Sequence, residues 1–205
     1  MSAIRLPIRP VVKIGEGPEC TVQASEALAA NPMVTCSPYS RMENIGGAIV
    51  LPEPAADFVH TIYIAASVDQ VWNELSDDKM TRAYWKHESV SDWKVGSRWE
   101  HVGATPEHPV DICGEVLEVD PPHRLLVSWA FPHEANVPAK VSRVTFELTP
   151  LGPDTKLVVI HSGLEPNSDM QCGVTDGWPA VVSNLKTLLK MGKVFSDEQW
   201  KSVEA

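Results

Sequence analysis

Hydrophobic and polar positions fall into a regular rhythm only from Phe58 onward. "FVHTIYIAA" reads as a strand of β-branched and aromatic residues, and "SVDQVWNEL" follows with Ser67 and Gln70 spaced as a capping box. Val68, Val71, Trp72 and Leu75 then form a short amphipathic stripe, and "SDDKMTRAYW" gives a second short helix capped by Ser76 or Asp77. Six strand-like runs come next, divided by turn residues: "ESVSDW", "SRWEHV", "DICGEVLEV", "RLLVSWAF", "SRVTFELTP" and "TKLVVIHS". "SRVTFEL" alternates most cleanly, placing Val144, Phe146 and Leu148 on a buried face and Arg143, Thr145 and Glu147 on a wet one.

The last rhythm is helical. In "DGWPAVVSNLKTLLKM", Asp176 to Met191, the apolar residues Trp178, Val181, Val182, Leu185, Leu188 and Leu189 make one stripe, with Thr175 or Asp176 as cap and Gly163 to Gly177 as a long loop before it. Short connections between strands argue for an antiparallel meander, and a sheet with one wet face needs a cover on the other. The terminal helix is the element long enough to cover it. The expected class is therefore α+β: a curved antiparallel sheet wrapped around a long C-terminal helix, with two short helices after the first strand.

Those phrases, in that order, resemble the helix-grip, START-like (SRPBCC) superfamily and, within it, the family named after the C-terminal domain of the activator of heat-shock-protein-90 ATPase. "IAASVDQVWNELSDD", "SDWKVGSRWE", "GEVLEVDPPHRLLVSW", "SRVTFELTPLGPDTKLVVIHSGL" and "GWPAVVSNLKTLLKMG" carry the likeness over about two-thirds of the chain. The resemblance implies a cavity between sheet and helix. It chooses no activity, because relatives include ligand carriers, polyketide cyclases, self-sacrificing resistance proteins and chaperone activators.

Composition divides the chain. Residues 1–57 hold seven prolines and one aromatic residue, Tyr39, whereas all seven tryptophans follow Phe58. A segment so poor in large apolar groups cannot offset its ordering entropy, so 1–57 is expected as a poorly structured extension, 58–194 as the START-like domain and 195–205 as a tail. Met42 offers an alternative beginning, which makes residues 1–41 dispensable on this reading.

The formal charge of −10 opposes nucleic-acid and anionic-membrane partners, and no window approaches a membrane span of about 18 apolar residues. Cys20, Cys36, Cys113 and Cys172 lack CxxC spacing, and "MSAIRLPIRPVVK" lacks an apolar leader core, so reduced thiols and a cytoplasmic location are expected. No HxH, HxxxH or HExxH pattern points to a metal, and no cofactor or catalytic residue is assigned.

Two strand histidines remain. His161 shares the apolar face of its strand with Leu157 and Val159, and His101 shares a face with Trp99; each is either a satisfied core histidine or a polar contact inside a pocket. The leading expectation is a binding module, more a carrier than an enzyme, for a small apolar or aromatic ligand. Its site would be lined by Trp99, His101, Trp129, Phe146, His161, Trp178, Val182 and Leu185. The alternatives are a cyclase or hydrolase using His161 or a strand glutamate, and a chaperone-activating interaction module; homodimer formation stays open.

Overall fold

A computed structural model describes residues 56–103 and 109–203 of the 205-residue chain. The expected 1–57 extension and the alternative start at Met42 therefore lie almost wholly outside the described residues. Strands β1 (Phe58–Ile64), β2 (Glu88–Ser91), β3 (Arg98–Val102), β4 (Ile112–Asp120), β5 (Arg124–Trp129), β6 (Ser142–Leu151) and β7 (Asp154–Ser162) form one antiparallel sheet in the order β1-β7-β6-β5-β4-β3-β2. The strands from β2 to β7 pair in sequence order, β4–β5 and β6–β7 joined by tight turns and β5–β6 by a longer connection with a 3-10 turn at Pro138–Lys140, and β1 pairs with β7, Ile62 opposite Leu157. Helices α1 (Val68–Ser76) and α2 (Asp78–Trp85) follow β1, while α3 (Asp169–Met191) lies across the concave face. This is the α+β helix-grip arrangement.

Local chemistry sets the element ends. Ser67 and Gln70 complete the capping box on α1, and Asp77 caps α2 by accepting from the amides of Lys79 and Met80 at 3.0 Å. Alternation on β6 holds for Val144, Phe146 and Leu148, but Thr145 is buried rather than wet. It is a short side chain set between Leu126 and Ile160 on the flanking strands, which cover it.

Helix α3 starts about two turns earlier than its apolar stripe suggested. Ser168 is the N-cap, accepting from Gln171 N at 3.1 Å, and Met170 and Val174 extend the buried stripe back from Trp178. Pro179 thus sits well inside the helix, where it supplies no N–H to the carbonyl four residues before it. Cys172 falls within α3, half-buried, and Cys113 is buried on β4. The segment expected as a tail carries α4 (Asp197–Val203), whose Trp200 packs against Phe195. Among the described residues, no helix is long and apolar enough to cross a membrane.

Two polar ties fix the far end of α3. Asn184, fully buried, donates from Nδ2 to the Tyr84 carbonyl at 2.6 Å and accepts the Phe195 amide at Oδ1 at 2.7 Å. Helix α3 is thereby bound to α2 on one side and to the segment leading into α4 on the other.

Gly114 on β4 lies opposite Trp99 on β3, whose indole crosses over it to donate to the Ser128 carbonyl at 2.9 Å. A Cβ at position 114 would lie 1.9 Å from that oxygen and 2.5 Å from the Trp99 indole nitrogen. Backbone on one side and a close-packed ring on the other leave no room to give. Gly114→Ala is expected to cost about 3 kcal/mol, a fall in Tm of roughly 6–12 °C; calorimetry that finds an unchanged Tm would refute this close approach.

Candidate functional site

The inward residues of β3, β5 and β7 meet the first half of α3 in an aromatic cluster. Trp129 of β5 is its hub: its ring centroid lies 5.0 Å from Trp99, 5.6 Å from Trp178 and 5.7 Å from His161. Phe146 meets Trp178 edge-on at 5.6 Å. Trp85, at the end of α2, stands 4.4 Å from His101 and 5.1 Å from Trp178. Large rings that meet at angles leave gaps between them.

One gap is a cavity of about 230 Å³ under the N-terminal half of α3. Trp85, His101, Ile112 and Trp129 form its floor and sides, and Met170, Val174, Trp178 and Val181 form its roof. Gly173 and Gly177, four residues apart on α3, also line it, and a Cβ at either would meet nothing within 4 Å. Glycine in a helix interior costs up to about 1 kcal/mol, so two at this spacing leave a bare strip of helix above the space at some expense. A second, more polar cavity of about 460 Å³ adjoins through the shared residues Phe131, Asp169 and Met170.

The eight residues singled out in the sequence are all buried, but they divide. His101, Trp129 and Trp178 line the aromatic cavity. Trp99 and Phe146 border a void of about 20 Å³ beside it and are otherwise closely packed. Val182 and Leu185, further along α3, belong to the solid core. His161 stands behind Trp129 and Trp178. The sequence reading missed Trp85, Val174 and Val181 as cavity walls; the two α3 glycines were the legible sign, once the helix is extended to Asp169.

The two strand histidines differ in chemistry. Trp178 Nε1 donates to His161 Nδ1 at 3.2 Å, so the other nitrogen carries the proton and donates to Ser142 Oγ at 2.8 Å. Ser142 in turn donates to the Trp129 carbonyl at 3.0 Å. Every group in this relay is satisfied, and burial pushes the His161 imidazole down to about 4. With both nitrogens engaged and no exposed surface, His161 has no free site for proton transfer. The strand glutamates are turned away as well: Glu100 pairs with Arg98, and Glu118 and Glu147 with Arg124.

His101 Nε2 has no hydrogen-bond partner, and neither has the Trp129 indole Nε1; both are sealed from solvent. An unpaired buried polar group costs about 1–3 kcal/mol. Burial first, and the nearby His87 second, lower the His101 imidazole well below its usual range, so it is neutral. His87 stacks on His101 at 4.6 Å, with Nδ1 2.9 Å from the Trp85 carbonyl and Nε2 against the Asp111 carboxylate. Among the described residues, no group of three His, Cys, Asp or Glu side chains is placed to hold a metal.

The family model described as Activator of Hsp90 ATPase homolog 1-like protein matches residues 65–190. CalU16 from Micromonospora echinospora is 22% identical over 72% of this chain and 81% of its own, with a TM-score of 0.56. The Aha1 dimer from Colwellia psychrerythraea is 20% identical over 68% of this chain and 99% of its own, at 0.57. PFC0360w, described as an HSP90 activator from Plasmodium falciparum, is 21% identical over 66% and 96%, at 0.55. At these identities the structural likeness establishes the fold. A comparison with curated proteins finds no match.

The titration of His161 has a readable consequence. Its folded value, about 4, lies below the ordinary histidine value of 6.5, so between the two the unfolded chain binds a proton that the folded chain refuses. Stability present above pH 6.5 is lost as pH falls toward 4, by on the order of 3 kcal/mol. His101 acts in the same sense, and Glu74, raised chiefly by burial, in the opposite one. Urea unfolding at pH 7, 5.5 and 4.5 should show this slope in the wild type and a shallower one in His161→Gln; equal slopes would remove His161 as its source.

Proposed function

Because the chain belongs to the Activator of Hsp90 ATPase homolog 1-like family, with its helix-grip fold, we propose that it binds a small aromatic or apolar molecule in the cavity beneath the first half of α3. The observation that carries this reading is the cavity itself, about 230 Å³ between three indoles and a strip of helix bared by Gly173 and Gly177. Drug-sized ligands occupy roughly 300–1,000 Å³. The space therefore suits a molecule of one or two fused rings, and a larger one extends past Phe131 into the adjoining polar cavity.

Indole faces favour planar rings by offset or edge-on contact. For a two-ring compound the apolar burial, less the cost of association, supports dissociation constants on the order of 10–100 μM. Acid–base chemistry in this cavity would fall to His101 rather than to His161, whose nitrogens are both engaged. The binding reading does not require it.

Isothermal titration with naphthalene, indole and quinoline should give saturable one-to-one binding. Gly177→Leu adds a side chain at the cavity wall and removes a helix glycine, so it is expected to leave Tm unchanged or higher while abolishing the binding heat. If no two-ring compound binds the wild type, the cavity reading fails. Stimulation of the chaperone's ATPase by the same protein would then favour an interaction module.

A further inference from the structure

Two residues that line the aromatic cavity each carry a buried polar atom that the protein does not satisfy, Trp129 Nε1 and His101 Nε2. Their residues are 5% and 3% exposed, so solvent does not stand in for a partner. Elsewhere in the cluster the fold does provide partners: Trp99 Nε1 has the Ser128 carbonyl and Trp178 Nε1 has His161. The other unpaired buried side-chain atoms among the described residues, on Glu74 and Trp200, line neither of the two cavities. The two unpaired atoms thus belong to neighbouring residues of the cavity lining.

Donor and acceptor chemistry then narrows the ligand. An indole N–H donates only, while one nitrogen of a neutral imidazole accepts. The two rings are neighbours, 6.2 Å apart between centroids. We propose that the ligand is an uncharged hydroxyl-bearing aromatic compound, a phenol or enol, whose oxygen accepts from Trp129 Nε1 and whose hydroxyl donates to His101 Nε2. This rests on the cavity being the binding site. Both atoms are sealed in the unliganded fold, so the proposal requires Trp85, half-buried and edge-on to His101, to turn aside when the ligand binds. A carboxylate is disfavoured, because burial keeps His101 neutral and the neighbouring His87 is already paired with Asp111.

Titration of the full chain with naphthalene, 2-naphthol and 2-naphthoate at pH 7 separates the two claims. The wild type should bind 2-naphthol about tenfold more tightly than naphthalene, with 2-naphthoate weaker than 2-naphthol. His101→Phe and Trp129→Phe should each lose about tenfold in 2-naphthol affinity and less than about threefold for naphthalene. His101→Gln, which keeps an acceptor, should retain part of the preference, so that a general packing defect is told apart from a lost hydrogen bond. Equal wild-type affinity for naphthalene and 2-naphthol, or a preference surviving in both Phe variants, overturns the proposal and leaves the cavity reading standing. Absence of binding by all three probes overturns both.

Discussion

The relay from Trp178 through His161 and Ser142 to the Trp129 carbonyl is the constraint on which the site depends. It runs from α3 across β7 and β6 to β5, and each step has a fixed direction because an indole only donates and a carbonyl only accepts. Breaking any member would leave a buried polar group unpaired, so the rings it joins are held in one orientation. Trp178 and Trp129 are the roof and floor of the cavity. The same bonds that satisfy the interior thus hold those two indoles 5.6 Å apart at an angle rather than letting them collapse face to face.

Helix α3 does two jobs along its length. Its C-terminal half, with Val182 and Leu185 inward and Asn184 tied to Tyr84 and Phe195, seals a solid core. Its N-terminal half carries Gly173 and Gly177 and roofs open space. A helix anchored at one end by packing and at its middle by a polar relay can span a gap without closing onto it. Had the glycines been larger apolar residues, the stripe from Met170 to Trp178 would have continued the core.

Much of this architecture was legible because period and punctuation agree: the alternation on β6, the capping box at Ser67 and the turns between strands each indicate one local structure. The start of α3 was not, since the interior Pro179 and the polar stretch before Trp178 resemble a loop until Ser168 is seen capping the helix. Alternation correctly placed His101 and His161 on inward faces, and the family likeness gave the cover above them. It did not reveal that Val182 and Leu185 pack solidly while Trp85 enters from a separate helix. Those outcomes depend on where α3 crosses the sheet, a three-dimensional relation that no single strand or helix pattern carries.

The contrast between the two histidines shows how position alone separates structural from available polarity. Both lie on inward faces, both are neutral through burial, and both touch the Trp129 ring. His161 stands on β7 opposite Val144 of β6, within reach of Ser142 and beneath Trp178, so its two nitrogens are committed to holding the helix. His101 stands on β3, across β4 from the Trp129 end of that relay, where the rings of Trp85 and His87 pack against it and neither pairs with its Nε2. Its Nε2 is left uncommitted together with the indole N–H of Trp129. The fold thus satisfies the polar groups beneath its anchoring helix and leaves two unsatisfied on residues that line the open space, separated from it by the packing of the aromatic rings.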